Sequence, residues 1–147
     1  MTDTKMNERR LPVGIQSFEE IRKGGYLYVD KTDIIWNLVN RGKKYNYLSR
    51  PRRFGKSVLV DTLEAYFLGK KELFEGLEVM KLQAEWVKHP VIRLDMSQAG
   101  AEAESIRSYL DDAFHTYEIG NDIAVRQGSS LAVRLKKIIV SATIKLR

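Results

Sequence analysis

Apolar positions recur along the chain in short stretches separated by glycine and proline, and their spacing predicts helices alternating with extended runs. Ser17 followed by Glu20 reads as a capping box opening a short helix, Phe18 to Lys23, closed by Gly24 and Gly25. Tyr26-Leu27-Tyr28-Val29 is aromatic and β-branched, hence an expected extended segment. Ile34, Ile35, Leu38 and Val39 share one face of a helix over about Asp33 to Asn40. Asp30 or Thr32 is available to cap it, and Gly42 ends it. Tyr45-Asn46-Tyr47-Leu48 reads as a strand and Ser49 to Phe54 as a loop.

From Gly55 to Leu68 the apolar residues Val58, Leu59, Leu63, Tyr66 and Phe67 fall at helical steps, and Gly69 closes the run. Leu73-Phe74 and Leu77 suggest a further short helical piece, and Val91-Ile92-Arg93-Leu94-Asp95-Met96 a second core strand. Ile106, Leu110 and Phe114 predict a helix from Ala103 to about Tyr117. A last helix places Leu131, Leu135, Ile138 and Ile139 on one face, and Ser141 to Arg147 is either a short strand or a frayed tail. Strands alternating with helices imply an α/β fold with a mostly parallel sheet flanked by helices. Residues 1–12 are polar up to Leu11-Pro12 and read as a flexible N-terminal arm, leaving 13–147 as one domain.

Composition narrows this picture. The chain has 147 residues, 44% hydrophobic and 30% charged, which excludes a disordered or collagen-like chain. There is no cysteine, so disulfides and thiolate metal sites are excluded. No apolar run approaches the ~20 residues that span a bilayer, and the first ten residues lack the apolar stretch of a secretory signal. The expectation is a cytoplasmic protein with no membrane partner.

Net charge is 25 − 19 = +6. Seven basic residues and no acidic one stand between Arg41 and Lys56 (Arg41, Lys43, Lys44, Arg50, Arg52, Arg53, Lys56), so the remainder is near neutral, with 18 basic against 19 acidic groups. Such a window is either a solvated basic face or an anion site for phosphate or a nucleic-acid backbone.

Inside the window lies Arg50-Pro51-Arg52-Arg53-Phe54-Gly55-Lys56-Ser57, between a candidate strand and a candidate helix. It matches the latter half of the phosphate-loop pattern G-x-x-x-x-G-K-[ST], with Arg50 at the first glycine's place. The chemistry explains the residue types. A glycine at position 55 lets successive amides, from Arg52 and Arg53 through Phe54 to Val58, turn toward phosphate oxygens. Lys56 supplies charge to the β- and γ-phosphates of ATP, and the Ser57 hydroxyl is a ligand for Mg²⁺. The dipole of the following helix favours the same anion. Arg50 does not take up a positive φ cheaply, and Pro51 holds it extended, so the start of the loop is expected to differ from the general pattern.

These residues resemble the bacterial AAA-ATPase-like family, whose phosphate loop has this R-P-R-R-F-G-K-S form and which often carries a PD-(D/E)XK nuclease-like domain further along. The likeness extends to Leu11-Pro12-Val13-Gly14, Tyr28-Val29-Asp30-Lys31-Thr32, Phe74-Glu75-Gly76-Leu77 and Pro90 to Ser97. It implies a P-loop NTPase-like domain that binds ATP with Mg²⁺, and Asp30-Lys31-Thr32 either lines the nucleotide site or caps a helix. No catalytic residue is assigned. A nucleotide hydrolase also needs an apolar strand ending in an acid. Asp95 is the candidate, as a second Mg²⁺ ligand or as a simple strand-end cap. The resemblance places the true acidic strand after the helix containing Leu131 to Val140, yet no Asp or Glu follows Asp122. The expectation is therefore a partial domain, truncated or shifted in frame near Val140, with little hydrolysis of its own and an unfinished sheet edge open to association. The rival reading is a nucleic-acid-binding module that uses the Arg41–Lys56 window without nucleotide chemistry. His89 and His115 lack partners at zinc spacing, Asp111-Asp112 reads as a solvated helix face, and Trp36 and Trp86 as core residues.

Overall fold

Ser17 opens the first helix as its spacing predicts: its Oγ accepts a hydrogen bond from the Glu20 amide, and α1 runs Phe18–Lys23. In a computed structural model, which describes residues 10–43, 45–124 and 128–145, five further α-helices follow. These are α2 (Thr32–Arg41), α3 (Lys56–Phe67), α4 (Val79–Leu82), α5 (Ala103–Gly120) and α6 (Leu131–Lys145), with 3₁₀ turns at Lys71–Phe74 and Met96–Gln98. Gly69 closes α3 with φ +68°, and the Lys70 amide folds back to the Ala65 carbonyl, satisfying one of the helix's last acceptors.

The α/β expectation is overturned. Among the described residues there is no β-strand, so they do not form the expected mostly parallel sheet. The reason lies in what a strand requires. Aromatic and β-branched residues suit a pleated surface, but the backbone groups need a second strand alongside, and a parallel sheet needs cover on both faces. Among the described residues the runs 26–29, 45–48 and 91–96 are not assembled into strands. Tyr45 and Tyr47 are 84% and 93% exposed, so the middle run lacks cover as well. Residues 141–145, expected as a strand or frayed tail, instead continue α6.

The chain divides into two compact units, residues 1–88 and 89–147. In the first, α1 packs on α3 and α2 on α4. Phe18, Ile35, Ala65, Tyr66, Leu73, Phe74, Leu77 and Val79 form the core. Aromatic rings make up much of it: Phe18 lies 5.0 Å from Phe74, and Trp86 lies 4.9 Å from Phe74 and 5.4 Å from Tyr66. Trp36 is packed against the same cluster, as the sequence suggests for both tryptophans. Polar ties fix the periphery. The Arg22 guanidinium donates to the carbonyls of Leu73 and Glu75, and Lys70 pairs with Glu19 at 2.6 Å.

In the second unit α5 packs on α6. The apolar spacing of α5 holds through Phe114 and then ends on a buried Glu118 rather than a hydrophobe. On α6, Ile138 is buried as expected, whereas Leu135 and Ile139 are exposed and Arg134 turns inward in their place. Among the described residues no helix is long and apolar enough to cross a membrane.

Candidate phosphate-binding site

The stretch from Arg50 to Lys56 turns sharply into α3. Gly55 occupies the helix N-cap in the left-handed region, φ 71° and ψ 19°, a conformation that costs a residue with a Cβ about 1–2 kcal/mol. A Cβ at Gly55 would meet nothing within 4 Å, so glycine is required there by its backbone and not by lack of room. Two positions earlier Arg53 is also left-handed, with φ 65°. Arg50, by contrast, is not: Arg53 and Asp122 are the non-glycine residues with positive φ among those described. The missing first glycine therefore carries no strain at its own position. The reversal occurs three residues later, on an arginine, which sequence rules give no reason to expect.

Strain of this kind yields a direct prediction. Arg53→Gly should raise stability by up to about 1 kcal/mol in a urea titration, because glycine adopts that conformation freely. A loss of stability would mean that the side chain contributes more than its backbone costs.

The first turn of α3 carries no acidic residue, and its N-cap, Gly55, has no side chain to cap the amides. Its N–H groups and dipole thus remain available to an anion. Lys56 Nζ donates 2.8 Å to the Arg50 carbonyl across the exposed mouth of the loop, which holds the ammonium over the turn. A cavity of about 550 Å³ opens on this side, lined by Gly14, Ile15, Gln16, Arg53, Gly55, Lys56, Ser57 and Val58. Arg53, Gly55, Lys56, Ser57 and Val58 are thus brought together. Phe54 faces an adjoining apolar cavity with Arg50, and Arg52 lines neither. The wall made by Gly14, Ile15 and Gln16 carries no chemistry legible in its residue types. The one sequence signal for it is that Leu11-Pro12-Val13-Gly14 shares the family likeness.

Asp95 belongs to the second unit. Its Oδ1 accepts hydrogen bonds from the Ser97 amide and hydroxyl, and its Oδ2 accepts one from Gln98 Nε2. The bonds from Ser97, and then that from Gln98, hold the carboxyl below the usual aspartate range. This is how a cap at the start of the 3₁₀ turn behaves. Asp30 is likewise tied. Oδ1 accepts from the Thr32 amide and hydroxyl, and Oδ2 accepts 2.7 Å from the Glu78 amide. Partial burial pushes this carboxyl up, but those hydrogen bonds outweigh it and leave it lowered. Thr32 Oγ1 in turn accepts from the Val79 amide. Asp30 and Thr32 therefore clasp the segment before α4. Lys31 lies in the adjoining apolar cavity's lining. Among the described residues no group of three or more His, Asp or Glu is placed to hold a metal ion. Lys44 of the basic window lies outside the described residues.

The family described as "Predicted AAA-ATPase" matches residues 12–147. The chain belongs to the AAA-ATPase-like family. One curated relative of this AAA-ATPase-like chain is named "Uncharacterized protein in vnfD 5'region", from Azotobacter chroococcum mcd 1, and is 48% identical over 91 residues. That alignment covers 60% of this chain and 17% of the relative, so the chain matches a small part of that longer protein. No solved structure matches the AAA-ATPase-like chain. Family membership brings with it, in general terms, an ATP-binding domain.

Proposed function

We propose that the loop at residues 50–57, the first turn of α3 and the facing wall Gly14–Gln16 bind the triphosphate of Mg-ATP. The observation that carries this reading is a left-handed Gly55 opening an uncapped helix directly beside Lys56, facing a cavity of nucleotide size. Amides of Gly55 to Val58 cradle the phosphates, Lys56 exchanges the Arg50 carbonyl for β- and γ-oxygens, and Arg53 adds charge from the cavity lining. Ser57 offers its hydroxyl to Mg²⁺, the donor type that phosphate-loop sites use. Among the described residues the cavity lining contains no Asp or Glu. Turnover by these 147 residues alone is therefore expected to be negligible, because phosphoryl transfer depends on carboxylates that hold the metal and orient water.

Calorimetric titration of the chain with Mg-ATP and, separately, with a short DNA duplex tests the assignment. Saturable Mg-ATP binding with weak DNA affinity supports it. DNA binding that falls steeply with salt, without any Mg-ATP heat, would assign the basic window to a nucleic-acid backbone instead.

A further inference from the structure

Arg41, Lys43 and Arg52 belong to the basic window, yet they line neither the phosphate cavity nor the apolar one beside it. None of the three pairs with a carboxylate among the described residues. Every described residue from Arg41 to Ser57 is exposed, and the stretch holds no acidic side chain. Two rings stand in it: Tyr45 is 84% and Tyr47 93% exposed. Asn46 Nδ2 donates 2.8 Å to the Lys43 carbonyl, closing a turn that carries Tyr45. The Arg41 guanidinium lies 5.3 Å from the Trp36 ring centroid, a contact that steadies it at the end of α2 while the residue stays exposed.

We infer that residues 41–52 bind single-stranded nucleic acid, on a surface separate from the cavity at Gly55 and Lys56. Cations that pair with no carboxylate keep their full field for the phosphates of a strand. Charge alone would serve a duplex equally well, and the tyrosines decide between the two. A ring stacks on a base only where that base is not already stacked inside a double helix. Stacking of this kind tolerates any sequence, because every base has a flat π face. A merely solvated basic face needs no aromatic rings, whereas rings alternating with cations along an exposed segment suit a strand with its bases turned out. The chemistry recognised, a charged backbone carrying unstacked bases, is common to DNA and RNA strands. This binding surface goes beyond the nucleotide site and does not depend on it.

Fluorescence anisotropy of labelled oligothymidylate and oligouridylate of about 12 nucleotides, and of a DNA duplex of matched length, titrated with the full chain, tests the inference. At low salt a strand should bind at least about tenfold more tightly than the duplex. Log affinity should fall against log salt with a slope of roughly −2, about −0.7 for each of the three cations. Binding of one strand type alone keeps the site and identifies the sugar it accepts. Tyr45→Leu and Tyr47→Leu should each lower the affinity about tenfold, whereas Tyr45→Phe and Tyr47→Phe should keep it, since phenylalanine retains the ring. Saturating Mg-ATP should leave strand binding in place. No strand binding at low salt, equal affinity for strand and duplex, or unchanged affinity in the leucine variants would overturn the inference. Displacement by Mg-ATP would overturn it too, by assigning the strand's phosphates to the loop at Gly55 and Lys56. Strand binding without any Mg-ATP binding would strike the nucleotide reading alone. The comparisons with duplex and with Mg-ATP use the unaltered chain, so they decide even where a variant fails to fold.

Discussion

Replacing Lys56 by alanine should weaken Mg-ATP binding roughly 10- to 100-fold, the range expected when a hydrogen-bonded charge on an anion is lost. Stability should hardly change. In the free protein Lys56 Nζ is bonded to the Arg50 carbonyl at the exposed mouth of the loop, and an exposed bond of that kind contributes little to folding. The two readouts thus separate a ligand-binding role from a structural one. A backbone binder of nucleic acid would show the opposite sensitivity, since one cation of seven in the window is a small fraction of its charge. Unaltered ATP affinity in Lys56→Ala, with the unfolding midpoint intact, would remove the loop from the nucleotide site.

The second large effect lies in the other unit and concerns stability alone. Glu118 on α5 is 1% exposed and Arg134 on α6 is 5% exposed. The guanidinium donates from Nε to both Glu118 carboxylate oxygens, at 3.0 and 3.2 Å, and from NH2 to Oε2 at 2.6 Å, while NH1 meets the Asp111 carboxylate. Arg134→Ala would strand a buried carboxylate, a change that costs about 3–5 kcal/mol. Urea denaturation followed by circular dichroism should show the loss. The double variant Arg134→Met with Glu118→Leu should recover most of it, because the desolvation of both charges disappears along with their attraction. A loss below about 1 kcal/mol in the single variant would mean that water reaches Glu118 and that the pair does little to hold α5 to α6.

These two sites differ in how far the sequence reveals them. The loop octet, its helix and the roles proposed for Gly55, Lys56 and Ser57 follow from residue type and spacing, because anion binding by amides is a local property of a turn and the helix after it. The left-handed backbone at Arg53 is also local, yet it contradicts the residue's own preference, so no sequence rule points to it. Helices were legible for a similar reason: Ser17, Gly69 and the spacing of Val58 to Phe67 act within a few residues. The absence of a sheet is not legible because Tyr45 to Leu48 and Val91 to Met96 carry strand-forming side chains, whereas pairing of strands is set by segments distant in the chain. The pairing of Glu118 with Arg134 is hidden in the sequence for the converse reason. A charge on a helix ordinarily marks the wet face, and only the fold brings these two, 16 residues apart, together. Asp111, expected as solvated, joins the same cluster from its edge.

Asp61, midway along α3, accepts a 2.6 Å hydrogen bond from the Phe18 amide at the head of α1, two residues after the Gly14–Gln16 segment. The helix that presents the ammonium thus also tethers the opposite bank of the cleft. A tether of this kind favours a gap between the banks that is sized during folding rather than on arrival of a guest. Capture should then proceed as a single kinetic phase, with no slow closing motion to follow it.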